Sequence, residues 1–138
     1  MSKDFVHPWR YLHPTGIECI DVIERVPFCV GAAIKHLWAA GSKADRGPDI
    51  HKAAFYLDRI LQDGSESLWC ANPHDHILSR YAERLAEHGG WNAHVIWHIL
   101  QGVQSHSKAH IGAARNQLYH FINNPQEKRD GPRPQLPS

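Results

Sequence analysis

The chain has little cysteine and no long apolar run. Its three cysteines, Cys19, Cys29 and Cys70, are scattered over 138 residues and form no CxxC pair. An odd and unpaired set argues against a disulfide framework and suits a reducing compartment. No apolar stretch approaches the roughly 20 residues of a membrane span, and the opening sequence MSKDFVHPWR lacks the apolar core of a signal peptide. We therefore expect a cytoplasmic protein without a membrane partner.

The chain also lacks an excess of charge of either sign. Fifteen lysines and arginines oppose fourteen aspartates and glutamates, which gives a formal net charge of +1. A protein that holds nucleic acid by bulk electrostatics needs clustered positive charge, so a nucleic-acid partner is not expected. The length is sufficient for one domain with its own core.

No segment alternates with period two for long enough to predict a strand, whereas apolar residues recur at helical spacing. The clearest stripe consists of Ile50, Ala53, Ala54, Leu57, Ile60 and Leu61. About six helices are predicted. The first is marked by Ile17, Ile20 and Ile23, the second covers 28–40, and the third starts at Gly47-Pro48-Asp49. The fourth is opened by Asn72-Pro73 and has the stripe Ile77, Leu78, Tyr81 and Leu85, and the last two cover 91–103 and 108–123.

The second half of the chain repeats part of the first. The third and sixth helices match at an offset of 61 residues, and the second and fifth match at 62. The matched pairs are Ile50 with Ile111, Ala53 with Ala114, Leu57 with Leu118, Ile60 with Phe121, Leu61 with Ile122, Ala33 with Val95, Ile34 with Ile96, His36 with His98 and Leu37 with Ile99. Two hairpins about a pseudo-twofold axis would explain the match, and so would the chance similarity of any two amphipathic hairpins. The predicted fold class is all-α, a small helical bundle.

The expected organisation is a single helical domain over residues 1–124. Its two halves are 13–61 and 72–123. Residues 125–138 contain four prolines, one leucine and no aromatic residue. Such a segment buries too little apolar surface to offset its ordering entropy, so a disordered tail is predicted there.

The first half carries positive side chains that core packing does not require: Lys35, Lys43, Arg46, Lys52 and Arg59. Lys52 falls in the first turn of the third helix, and Asp49 falls at its start. A helix N-terminus presents unpaired amides and partial positive charge, so it suits a phosphate. Tyr56, one turn beyond Lys52, would then reach the sugar or base of a nucleotide. The alternative is a solvated basic face.

The segment 13–61, about a third of the chain, also carries a family pattern. The residues that match it are His13, Gly16, Ile17, Glu18, Ile20, Asp21, Val22, Ile23, Glu24, Phe28, Gly31, Ile34, Lys35, Gly41, Lys43, Asp49, Lys52, Ala53, Tyr56 and Leu57. In order and spacing they resemble the SaV-like domain, a family of small phage proteins. That family includes a nucleotide kinase without the usual phosphate-binding loop, and no GxxxxGK[ST] motif occurs in this chain either.

The resemblance implies a nucleotide or another phosphate-bearing small molecule as ligand. The implied binding residues are His13, Lys35, Lys43, Asp49, Lys52 and Tyr56. In a kinase, Glu18 or Asp21 would position Mg²⁺ or the phosphate acceptor. However, Ala32 and Ala39 stand where the family has an asparagine and an arginine, and both changes remove groups able to hold a phosphate or base.

Two main function classes follow. The first is a nucleoside monophosphate kinase of the type without a P-loop, which the intact acidic motif favours. The second is a non-catalytic protein that sequesters a nucleotide or a nucleotide-derived signal, as a phage countermeasure to host defence in the host cytoplasm. A third, weaker alternative is a helical protein-binding adaptor. Five tryptophans and the surface of short helices further predict a homo-oligomer, most simply a twofold dimer.

His94 and His98 are spaced so that two imidazoles on one helix could hold a metal ion. The stretch from 88 to 126 contains no aspartate or glutamate, so a carboxylate ligand would have to come from elsewhere. The HExxH arrangement of hydrolytic zinc sites is absent. Such pairs are more often surface or hydrogen-bonded core groups, and no metal site is predicted.

Overall fold

The computed structural model describes residues 13–62 and 65–125, and in these residues it contains six α-helices and no strand. The all-α prediction is therefore confirmed. The helices are α1 (Cys19–Ile23), α2 (Phe28–Ala40), α3 (Gly47–Gln62), α4 (His76–His88), α5 (Trp91–Ser105) and α6 (Lys108–Asn123), with one 3₁₀ turn at Glu66–Leu68 before α4.

Two helical hairpins form the body of the fold. Helix α2 packs along α3, and α5 packs along α6. The hairpins meet where α3 contacts α6 and where α2 contacts α5. The two remaining helices lie outside this arrangement, with α1 on α2 and α4 on α5. The equivalent helices of the two hairpins thus face one another.

The core is continuous across both hairpins. All but one of the matched apolar pairs are buried, the exception being Leu61 and Ile122, which are partly buried. The buried positions are Ile50, Ala53, Leu57, Ile60, Ile111, Ala114, Leu118, Phe121, Ala33, Ile34, Leu37, Val95, Ile96 and Ile99. Three tryptophans, Trp38, Trp69 and Trp91, are buried as well. These aromatic side chains are therefore explained by packing rather than by ligand contact.

A polar contact joins the two hairpins. Asp58 on α3 accepts a hydrogen bond from Nε of Arg115 at 2.6 Å, and the hydroxyl of Tyr119 donates to the same carboxylate. Arg115 and Tyr119 both belong to α6. Hydrogen bonding to the Asp58 carboxylate, followed by burial, raises the pKa of Tyr119.

The first short helix is present, but Ile17 is buried just before it, and Ile20, one of the residues that marked it, does not face the core. Ile20 is 52% exposed, and the buried side chains of the helix are Cys19 and Val22. A helix turns by about 100° per residue, so starting it at Cys19 sets that residue and Val22 toward α2 and turns Ile20 outward.

The predicted start of α4 was wrong. The helix begins at His76, because Asp75 caps it by accepting a hydrogen bond from the Leu78 amide at 3.1 Å. Nε2 of the buried Gln104 donates to the carbonyl oxygens of Asn72 and Asp75, which holds the preceding residues in a turn. Ile77, predicted for the core stripe, is 49% exposed.

Part of the predicted organisation lies outside the described residues, namely residues 1–12 of the domain and residues 126–138 of the tail. Within the described ranges, none of the helices combines the length and the apolar character that a membrane crossing requires.

Candidate functional site

A buried carboxylate joins α2, α3 and the loop between them. Asp49, in the first turn of α3, is only 5% exposed. Its carboxylate accepts a hydrogen bond from Nζ of Lys43 at 2.8 Å and lies 3.1 Å from Nδ1 of His36 on α2. Nε of Arg46 donates to the carbonyl oxygen of Lys43 at 3.0 Å and so braces the loop. We call His36, Lys43 and Asp49 the Asp49 network.

The network keeps the buried carboxyl group ionised. Burial by itself raises the pKa of Asp49, but the hydrogen bonds and charges of Lys43 and His36 outweigh burial. The pKa of Asp49 consequently lies below its usual value. A carboxylate this deeply buried would be strongly destabilising without such partners, so the network has a structural role whatever else it does.

His36 is held by one edge of its ring. Nδ1 faces Asp49, which leaves Nε2 on the opposite edge, and no group within the described residues pairs with Nε2. The ring stacks on Tyr56, with centroids 6.1 Å apart and planes at 12°. Phe28 and Phe55 contact Tyr56 edge-on, at centroid distances of 6.1 and 5.4 Å. A carboxylate that orients an imidazole in this way is common where proteins transfer protons or bind ligands.

Two of the predicted lysines are exposed beside this arrangement. Lys52 follows Asp49 by three residues and precedes Tyr56 by four, so all three lie on one side of α3. Lys35 precedes His36 on α2 and projects about 100° around the helix from it. The α2–α3 hairpin thus carries Lys35, Lys43, Asp49, Lys52 and Tyr56 of the predicted ligand residues.

The start of α3 offers few free amides to an anion. Pro48 has no amide hydrogen, and the amide of Ile50 donates to the carbonyl oxygen of Arg46 at 3.0 Å. At most the amides of Gly47 and Asp49 are left from the first turn. The Asp49 carboxylate also occupies this positive end of the helix. A phosphate placed there would meet a negative charge.

The acidic residues predicted as catalytic candidates cap α1. The backbone N–H of Glu18 donates to Oδ2 of Asp21 at 2.9 Å, and the Glu18 side chain accepts from the backbone of Asp21. This reciprocal pattern is a capping box. Capping accounts for both residues without a role in catalysis.

His13, also implied by the family pattern, lies on another side of α2. Its Nδ1 pairs with the hydroxyl of Thr15 at 2.9 Å, and its ring contacts Trp38 at 5.8 Å and His88 at 4.7 Å. Trp38 follows His36 by two residues, so the two side chains project about 200° apart around the helix. The structure therefore does not bring His13 to the Asp49 network. Burial, followed by the charge of His88, lowers the pKa of His13.

In the second hairpin, His98 pairs with His110 of α6, and the two Nδ1 atoms are 3.1 Å apart. His98 is 1% exposed, and its buried Nε2 has no hydrogen-bond partner in the described part of the chain. Burial, followed by the charges of His110 and His94, lowers the pKa of His98. Among residues 13–62 and 65–125, no three His, Cys, Asp or Glu side chains are grouped to hold a metal ion.

The two histidine contacts occupy equivalent places in the two hairpins. His36 matches His98 at the offset of 62, and Asp49 matches His110 at the offset of 61. The first hairpin therefore pairs an imidazole with a carboxylate, whereas the second pairs it with another imidazole. Only the first can hold a protonated histidine without repulsion.

Sequence reasoning missed His36 as a partner of Asp49 and missed the exposed aromatic side chains. The pairing depends on which helix faces which, and an antiparallel α2–α3 hairpin with a short loop is enough to place residue 36 opposite residue 49. Phe55 lies outside the apolar stripe of α3, and that departure was the available signal for it.

Comparisons with protein-family models, with curated proteins and with solved structures find no match to this chain. The resemblance of residues 13–61 to the SaV-like domain stays a prediction from the sequence pattern. The function proposed for this chain therefore depends on the geometry of the α2–α3 hairpin.

Proposed function

We propose that the protein binds a phosphate-bearing small molecule, most simply a nucleotide, on the α2–α3 hairpin. The observation that supports this is the orientation of His36, whose Nδ1 faces Asp49 and whose ring stacks on Tyr56. Its Nε2 edge is left for a ligand. Lys52, one turn from Asp49 and from Tyr56, adds an exposed positive charge.

The phosphate belongs near Lys52 and Lys35 rather than at the first amides of α3. The charge of Lys43 is already paired with Asp49, at 2.8 Å, and the carboxylate would repel an anion at the helix start. The ring of Tyr56, stacked on His36, offers an aromatic surface for a sugar or base. This arrangement keeps the Asp49 network intact when the ligand binds.

Binding without turnover is the form of the proposal that the site supports best. Glu18 and Asp21 cap α1, which removes the main argument for a catalytic metal ion held by these residues. Ala39 is 2% exposed, so an arginine could not be placed there without repacking α2. Phosphoryl transfer with Mg²⁺ is the alternative, and it would require carboxylates from elsewhere in the chain.

A nucleotide panel separates these possibilities. The purified full chain is incubated with nucleoside mono-, di- and triphosphates and with cyclic nucleotides, with and without Mg²⁺, and bound and free fractions are analysed by mass spectrometry. We expect at least one nucleotide to be retained unchanged. Release of a phosphorylated product would establish the kinase alternative instead. A chain that retains no nucleotide would refute the proposal.

Lysine substitutions locate the site. A hydrogen bond to a charged group contributes roughly 1.5–3 kcal/mol. Lys52→Ala and Lys35→Ala should each weaken binding by about ten- to a hundredfold in calorimetric titrations. Lys108→Ala is the matched control, because Lys108 lies on α6 near the Trp69 ring and should leave affinity unchanged. Equal affinities for all four proteins would place the ligand elsewhere.

A further inference from the structure

Apolar side chains are exposed on α1, α2 and α3, where α2 packs against both of the other helices. Phe28 is 77% exposed and Phe55 is 59% exposed, and Tyr56 connects the two rings. Ile20, 52% exposed, belongs to α1, which packs on α2. Single exposed apolar residues are ordinary, but a connected group marks an interaction surface. We call Ile20, Phe28 and Phe55 the apolar patch.

Exposed charges of both signs adjoin the patch, and Glu24 and Arg59 are one of each. Glu24 directly follows α1, four residues after Ile20 and four before Phe28, and it is exposed. Arg59 is exposed on α3, four residues after Phe55. No ion pair involving Glu24 or Arg59 is found within residues 13–62 and 65–125. An acidic group and a basic group are thus presented next to the same apolar surface.

We propose that the apolar patch is the contact between two copies of this chain in a twofold dimer. In a twofold contact the same surface is used by both copies, so it must be complementary to itself. Glu24 of each copy then pairs with Arg59 of the other, and the phenylalanines pack together at the centre. A uniformly acidic or basic foreign surface would match only one of these charges, whereas a second copy matches both.

The dimer goes beyond the proposed ligand site and leaves the Nε2 edge of His36 and Lys52 available to a ligand. The patch uses the part of α3 from Phe55 to Arg59, whereas the ligand residues Lys52 and His36 lie toward the other end of the hairpin. Interfaces of this kind are enriched in aromatic residues at the centre and polar residues at the rim. The arrangement of Phe28 and Phe55 with Glu24 and Arg59 has that composition.

Charge reversal gives a specific test. The full chain is examined by light scattering and sedimentation across the micromolar range, and wild type should have twice the 15.7 kDa mass of one chain. Glu24→Arg alone and Arg59→Glu alone should each weaken the dimer by about tenfold or more, because like charges then face each other twice. The double variant should recover the wild-type dissociation constant.

Two further variants complete the test. Phe28→Ser should give a monomer with an unchanged helical spectrum, and Arg80→Glu, an equal reversal at an exposed position on α4, should leave the dimer intact. A wild-type protein that stays monomeric would overturn the proposal. So would a double variant as dissociated as the single ones, or a dimer that none of the substitutions at the patch weakens.

Discussion

Asp49 and Cys19 show two outcomes of burying an ionisable side chain. For Asp49, the donors Lys43 and His36 outweigh burial, and the charged form is retained. For Cys19, burial is opposed only in part by the charge of Lys35, and it raises the pKa of the thiol to about 12. The difference lies in hydrogen bonds, which Asp49 receives at 2.8 and 3.1 Å.

The raised pKa of Cys19 makes a prediction about reactivity. The thiolate is the reactive form, so a thiol that is 2% exposed and has a pKa of about 12 should resist alkylation in the folded protein. Cys29, which is half-buried, provides the internal comparison and should react first. Iodoacetamide labelling at mildly alkaline pH, followed by peptide mass analysis, measures both sites at once. Equal labelling rates in the native state would contradict this explanation.

At the scale of single helices, Gly102 and Gly112 have different surroundings. A Cβ atom added at Gly102 would lie 2.8 Å from the carbonyl oxygen of Ser107 and 3.0 Å from the side chain of Ile111. The Ser107 amide also donates to the carbonyl oxygen of Gly102 at 2.8 Å, so the turn is tied to α5. A Cβ atom at Gly112 would meet nothing within 4 Å.

The two glycines should therefore respond to alanine in opposite directions. Gly102→Ala is expected to lower the free energy of unfolding by about 1–3 kcal/mol, because the backbone must move to admit the methyl group. Gly112→Ala should raise it by up to about 1 kcal/mol, since alanine loses less backbone entropy in a helix. Urea unfolding followed by circular dichroism measures both. If both substitutions raised the free energy of unfolding, the prediction for Gly102 would be wrong, because the turn at Ser107 would accommodate a methyl group without cost.

The same scale shows how far the sequence determines the structure. The bounds of α2 and α6 were predicted correctly at both ends, because their stripes are regular. The start of α4 was not, because Gln104 and Asp75 fix the preceding turn through contacts between distant parts of the chain. The lysines of the candidate site were identifiable from their departure from the core pattern.

The contacts of the candidate site were not identifiable in the same way. Lys43 pairs with Asp49, so its positive charge is not open to a ligand. This pairing depends on how the α2–α3 loop folds back on α3. The contact between His98 and His110 requires α5 to lie against α6 in one particular register. Spacing along one helix had instead suggested His94 as the partner. Side-chain partners between helices are set by packing, which periodicity does not specify.

At the scale of the whole molecule, two histidines couple stability to pH. The pKa values of His13 and His98 are both lowered from 6.5, His13 by burial and His88, and His98 by burial, His110 and His94. His94 on α5 and His110 on α6 both disfavour a positive charge on His98, as burial does. The folded protein therefore binds fewer protons in acid than the unfolded chain does.

This linkage predicts acid destabilisation in a defined window. The two histidines do not lower the free energy of unfolding above pH 6.5, where they are neutral in the folded and the unfolded chain. As the pH falls from there toward their folded-state pKa values, the free energy of unfolding decreases progressively. Asp49 and Asp75, whose pKa values lie below 3.8, act only in a lower window. We expect the melting temperature to fall steadily between neutral pH and about pH 5, as measured by calorimetry.

One substitution gives the second hairpin the imidazole–carboxylate pair of the first and so separates the effect of His98 from that of His13. His110→Asp gives His98 a carboxylate partner like that of His36, so a protonated His98 becomes tolerable and the loss of stability in acid should shrink. His13 should account for the dependence that is left. His74→Asp, at an exposed position, is the matched control and should keep the wild-type slope. If His110→Asp does not change the slope of melting temperature against pH, the loss of stability in acid arises from groups other than His98.

The division into two hairpins also has a consequence for the route of folding. Helices α2 and α3, like α5 and α6, are neighbours in sequence, so each hairpin forms through contacts over short chain separations. Contacts of that kind cost little loop-closure entropy and favour rapid folding. The contact of Asp58 with Arg115 and Tyr119 spans almost half of the chain and can form only when the hairpins meet. We therefore expect the hairpins to assemble early and their docking to determine the folding rate.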